Sequence, residues 1–224
     1  MKRRSLAPPN QRNYQHGYEL ALKLASQKLA SINVEDQCQK AGAELKLSAS
    51  KKIITLEYLN RSYQITLPEM DVSPFGSQEP IQPKEKLLML HYLIRAQGSP
   101  ISGIKITYKE LPEGANYFPT FYKRAIKPLL NNFGQESHRL LDAAAKLGGH
   151  KVDYGDIAVA ISAFSRVPLT LVLWRGDDEL VPEGSILFDS TISSYLSAED
   201  ITVLCETIAW RLVKISRGSE YPSA

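Results

Sequence analysis

The stretch Gly155–Asp189, GDIAVAISAFSRVPLTLVLWRGDDELVPEGSILFD, decides the fold. Ile157–Phe164 (IAVAISAF) and Pro168–Trp174 (PLTLVLW) are short apolar runs bounded by turn signals, which read as buried strands rather than helices. Pro168 suits the first residue of a strand, where a missing N–H does no harm. Only Ser165, Arg166 and Val167 separate the runs, so they predict an antiparallel hairpin. Along the second run Leu169, Leu171 and Leu173 share one face, and Thr170, Val172 and Trp174 the other. Both faces are apolar, which predicts a central hairpin covered on both sides. Arg175, Gly176, Asp177, Asp178 and Glu179 break the pattern, and Ser185–Phe188 reads as a further strand closed by Asp189.

On the C-terminal side, Ile201, Leu204, Cys205, Ile208, Leu212 and Ile215 trace one helical stripe. It starts at Ser197-Ala198-Glu199-Asp200, a capping-box pattern. On the N-terminal side, Pro83 opens a helix, KEKLLMLHYLIRAQ, with Gly98 as its expected cap. Its apolar residues leave little polar face, so it should be deeply buried, with His91 a hydrogen-bonded core residue. Gly103–Tyr108 reads as a strand. Residues 117–134 are helical in period, with a kink or split at Pro128, and a second helix runs from Glu136 to Leu147. Farther out, Ala43–Leu47, Ile53–Leu59 and Tyr63–Leu67 form a meander, Asn60 and Arg61 making one turn. Asn13–Ile32 is an amphipathic helix. The pattern is α+β: a predominantly antiparallel sheet with a central buried hairpin, packed against several helices. Residues 1–12 form a basic disordered arm, 13–216 a single domain, and 217–224 a frayed tail. The stretch 68–82, with Pro68, Pro74, Gly76 and Pro80, is the candidate connector between subdomains.

Composition narrows the function. Among 224 residues, 27 are Lys or Arg and 24 are Asp or Glu. Three of the basic residues, Lys2, Arg3 and Arg4, sit in the arm, and without them the two signs balance. The body therefore offers no electrostatic case for nucleic acid. The positive start lacks the apolar core of a signal peptide, and no run of eighteen apolar residues predicts a membrane span. Cys38 and Cys205 are too few for an iron–sulfur or structural zinc site and fit a reducing, cytoplasmic compartment. Cys205 lies on the buried stripe and reads as an inert core thiol.

The familiar catalytic motifs are missing: no phosphate-binding loop, no G-x-G-x-x-G, no G-x-S-x-G, no H-x-x-x-H and no C-x-x-C. No metal site is assigned, and nothing names a cofactor. Asp177, Asp178 and Glu179 suit either a hard cation or a solvated turn. Lys123, Arg124 and Lys127 suit either an anion or a solvated helix face. Arg166 sits at the hairpin loop, and the acidic run follows the far end of the second strand. About seven strand residues, roughly 23 Å, separate them, so they belong to different sites. Asp156 should meet Arg175 or Asp177 across the ladder.

An ordered set of motifs runs through the chain: LHYLIRA from Leu90, the Tyr117–Phe121–Arg124–Ala125 spacing, FG at Phe133 and AAKLGG from Ala144. It continues with GD at Gly155, FSRVPL from Phe164, LWRGDDE from Leu173, ILFD from Ile186 and YLSAED from Tyr195. Together these resemble the domain-of-unknown-function 3786 family over roughly Tyr14 to Lys214. The resemblance implies a prokaryotic, mostly anaerobic setting and brings no activity with it. Some relatives carry an added cysteine-rich iron–sulfur segment, which this chain lacks. The family's F-P-R-V-P reads Phe164-Ser165-Arg166-Val167-Pro168 here. Two functions fit. One is an accessory protein of anaerobic metabolism that binds an unknown small molecule or protein partner. Its candidate contacts are Tyr117, Arg124, Asp156, Arg166, Trp174, Asp177, Asp178 and Glu179. The other is an enzyme with a carboxylate–arginine or carboxylate–metal site, using Asp156, Asp177, Asp178 or Glu179 as base or metal ligand.

Overall fold

The computed structural model describes residues 11–48, 51–77, 79–176 and 180–218. Most of the expected basic arm and the tail from residue 219 lie outside that set, as do Asp177, Asp178 and Glu179. Helix α1 (Gln11–Ala30) is followed by a short helix, α2 (Val34–Ala41), that the sequence pattern did not reveal. Asn33 starts α2 by accepting hydrogen bonds from the N–H groups of Glu35 and Asp36, and Gly42 ends it in the left-handed conformation at φ 66°. Strands β1 (Glu44–Ser48), β2 (Lys51–Glu57), β3 (Ser62–Leu67) and β4 (Asp71–Pro74) then form an antiparallel meander in chain order.

The β2–β3 turn falls at Leu59 and Asn60, with φ of 50° and 60°, one residue earlier than expected. Positive φ at both central residues is what a two-residue hairpin favours. Leu59 is an unusual residue there, and it is tied down: its side chain is fully buried, and its N–H donates to Ala163 O at 3.0 Å. Strand β4 lies inside the stretch expected to be loop. It is an edge strand, where Pro74 is tolerated.

Helix α3 (Pro83–Arg95) stops three residues short of Gly98. Ala96 N–H still closes onto Tyr92, but Gln97 N–H turns away to Ser194 O at 3.2 Å. After β5 (Lys105–Thr107) comes helix α4 (Gly114–Phe121). A π-helical turn at Tyr122–Ile126 joins it to α5 (Lys127–Phe133). Pro128 is the second residue of α5, so the expected split falls where the missing N–H interrupts the ladder. Helix α6 (His138–Ala145) precedes β6 (His150–Val152), β7 (Ile157–Phe164), β8 (Val167–Trp174), β9 (Glu183–Asp189) and the long helix α7 (Ala198–Ser216).

The second sheet is antiparallel, in the order β5-β9-β8-β7-β6, so the hairpin β7–β8 is internal as expected. Its loop is only Ser165 and Arg166, because Phe164 already pairs with Val167. Pro168 is thus the second strand residue. It sits beside a register shift and before the first β8–β9 pair, Leu169↔Phe188, where its missing N–H breaks no ladder. From Leu169 to Leu173 every residue of β8 is buried, on both faces. Ile157, Val159, Ile161, Leu169, Leu171, Leu173, Ile186 and Phe188 join the main core. That core is continuous between the sheets. Tyr58 forms a bridge pair with Phe164, and the Tyr92 ring stacks on Phe164 at 4.1 Å. Helix α7 packs against α3, α4, α5 and α6. Ser197 and Asp200 close its capping box.

Candidate functional site

Helix α7 turns one face away from the core. Thr207, Trp210, Arg211 and Lys214 follow the helical spacing that puts them on one side. Opposite them stand Arg61 and Tyr63 at the start of β3, Pro74 of β4, and the connector residues Glu79, Pro80 and Ile81. The first turn of α3 supplies Gln82, Lys84 and Glu85. Together they enclose a cleft of about 280 Å³.

At its base Arg211 donates to the buried carboxylate of Glu85, and the Tyr58 hydroxyl donates to the same carboxylate at 3.4 Å. The Arg211 guanidinium also lies 5.4 Å from the centre of the Tyr58 ring. At the rim Arg61 pairs with Glu79 at 2.9 Å. Both carboxylates of the cleft are therefore committed. Lys84 and Lys214 have no carboxylate partner among the described residues, so the cleft carries surplus positive charge. The α3 N-terminus adds to it: Pro83 opens the helix, and no side chain caps it. A concave site with free ammonium groups and a helix start suits an anion. It does not suit a metal ion. Among the described residues, no group of three or more His, Cys, Asp or Glu is placed to hold one.

Two other hollows have similar volumes. One, of about 290 Å³, lies over the first sheet beside Glu44, Lys46 and Glu57. The other, of about 350 Å³, lies among α5, α6 and the end of α7. In the second, Arg139 is already spent on Glu136 and Ser216 O, and Arg217 on Asn132. The first also sets Lys46 beside the exposed Phe75, but Glu44 and Glu57 leave it no surplus of positive charge, unlike the α3–α7 cleft.

The residues singled out from sequence fall elsewhere. Arg124, in the π-helical turn, forks between Glu199 at 3.2 Å and Glu206 at 2.8 Å, clamping that turn to α7. Burial opposes its charge, and the two carboxylates outweigh burial and raise its pKa. Tyr117 stands 47% exposed on α4. Asp156 accepts the Arg175 backbone N–H at 2.8 Å, and Arg175 Nε donates to Ser137 Oγ at 2.9 Å. Trp174 is beside them, so Asp156, Trp174 and Arg175 gather at one end of the hairpin. Arg166 is at the other end, where its N–H donates to the Tyr92 hydroxyl at 3.3 Å. None of these five described candidates lines the cleft.

His91 meets Asp200 at 2.7 Å, the hydrogen bond expected of it, on a side chain that is one-third exposed. Burial alone would raise the Asp200 pKa; hydrogen bonds from His91 and Ser197 lower it instead. Cys38 and Cys205 are unpaired and buried, and burial raises the Cys38 thiol to about 11 and Cys205 further. Both are inert as nucleophiles.

The sequence held a signal for the cleft. Glu85 stands three, four and seven residues before Leu88, Met89 and Tyr92, on the buried side of its helix. A carboxylate there needs a cationic partner. Its identity, Arg211, depends on how α3 and α7 pack.

Among the described residues, no helix is long and apolar enough to cross a membrane. Comparison with curated proteins and with solved structures gives no match. The family model described as Domain of unknown function (DUF3786) matches residues 33–211, which include, among the described residues, all nine strands and every cleft residue except Lys214. By that match over most of its length, the chain belongs to the DUF3786 family.

Proposed function

We propose that this chain is a binding protein whose α3–α7 cleft holds a small molecule through an anionic group. The observation that carries the reading is the pair of uncommitted ammonium groups, Lys84 and Lys214, above a cleft whose carboxylates are both already paired. Residues 13–216 act as one unit in this reading. The setting is prokaryotic and cytoplasmic, and the role is accessory to anaerobic metabolism. The family resemblance supports the setting, and two reduced, buried cysteines support a reducing compartment.

Thermal unfolding in inorganic phosphate, at constant ionic strength against chloride, tests the reading. Phosphate should raise Tm in the wild type and leave a Lys84→Ala/Lys214→Ala double variant unmoved. An equal shift in both proteins would reflect solvent exclusion alone and overturn it, and so would no shift in either.

A further inference from the structure

We infer that the ligand of this cleft carries a planar aromatic ring stacked on Trp210, one helical turn from the anionic group held by Lys214; this rests on the anion-binding reading above. Trp210 is the exception on α7. Ten of that helix's nineteen residues are buried, yet Trp210 keeps 45% of its surface exposed, on the face that lines the cleft. Lys214 is four residues further along the same face, so indole and ammonium are neighbours about 5–6 Å apart at their Cβ atoms.

The opposite wall continues this division. Tyr63, Pro74, Pro80 and Ile81 are its apolar part. The Arg61 guanidinium carbon lies 6.0 Å from the centre of the Tyr63 ring. The cleft thus offers apolar surface suited to a flat ring and cationic groups suited to phosphate or carboxylate. Its volume of about 280 Å³ is on the scale of a small-molecule site. Trp210 offers the ring an exposed stacking face, and stacking tolerates different bases. The ligand class is a ring-bearing monoanion or dianion of nucleoside monophosphate type.

Titration calorimetry with adenosine monophosphate, ribose 5-phosphate and inorganic phosphate separates ring from anion. The nucleotide should bind about tenfold more tightly than ribose 5-phosphate. Trp210→Ala should erase that difference, and Trp210→Phe should keep most of it. Equal affinities for nucleotide and sugar phosphate, unaffected by Trp210→Ala, would overturn the stacking inference while the anion reading stands. If none of the three binds the wild type, the anion reading falls and the inference with it.

Discussion

Arg211 and Glu85 join the last half of α7 to the first turn of α3 through a buried ion pair beneath the cleft. Removing one partner leaves an uncompensated charge at the floor of the cleft, where little of either side chain reaches water. Arg211→Ala or Glu85→Ala should therefore lower stability by about 3–5 kcal/mol. A Glu85→Leu/Arg211→Met double variant should recover most of that loss, because it leaves no buried charge and keeps the volume. Urea unfolding of the three proteins reads this directly. A double variant as unstable as the singles would show that the pair is not the source of the effect.

The sheet was far more legible than the cleft. The β7–β8 hairpin could be read from Ile157–Trp174 because a strand buried on both faces needs an unbroken apolar run, which few other segments supply. The stripe of α7 was equally plain over nineteen residues. Helix α2 was not, since eight residues span barely two turns, although Asn33 and Gly42 marked both of its ends. Strand β4 was hidden by Pro74, which an edge position allows. The cleft depends on Arg61, Lys84, Trp210 and Lys214 coming together from positions as much as 153 residues apart, and that is a product of packing rather than of local pattern.

Asp189 should make the protein acid-sensitive in a defined window. Burial alone would raise its pKa. Hydrogen bonds from the hydroxyls and N–H groups of Thr191 and Ser102 outweigh burial and hold it down to about 2. The Gly103 N–H donates to the other oxygen at 2.7 Å. A depressed pKa stabilises the fold above the unfolded value of about 4, and the contribution fades as pH falls towards the folded value. Its size is on the order of 2 kcal/mol. Asp189→Asn should be less stable at neutral pH and should lack this part of the acid dependence between about pH 4 and pH 2. Urea unfolding across that range compares the two slopes.

The Tyr92 hydroxyl fixes the hairpin tip against α2. It donates to Ala41 O at 2.5 Å and accepts the Arg166 N–H at 3.3 Å. Tyr92→Phe keeps the ring stacked on Phe164 but leaves two backbone groups without a partner. The expected cost is about 1–3 kcal/mol. The Arg166 amide should also lose protection from hydrogen exchange, whereas amides within β8 should keep theirs. Unchanged exchange at Arg166 would mean that the tip is held by other contacts.

Two glycines should respond to alanine in opposite directions. Gly155 holds φ at 54°, and a Cβ there would come within 2.8 Å of Val172 Cγ1 and 3.0 Å of Leu173 O. The first distance could relax by moving a methyl group. The second is to backbone, and that same oxygen accepts the Asp156 N–H at 3.1 Å. Left-handed strain of about 1–2 kcal/mol adds to the cost of crowding, so Gly155→Ala should destabilise by about 2–4 kcal/mol. Gly17 lies within α1, with nothing closer than 4 Å to its Cβ position. Alanine there removes unfolded-state freedom without a clash and should stabilise by about 0.5–1 kcal/mol. Urea midpoints for the two variants should therefore fall on either side of the wild type. A Gly155→Ala midpoint at or above the wild type would mean that the 153–156 loop can move off Val172.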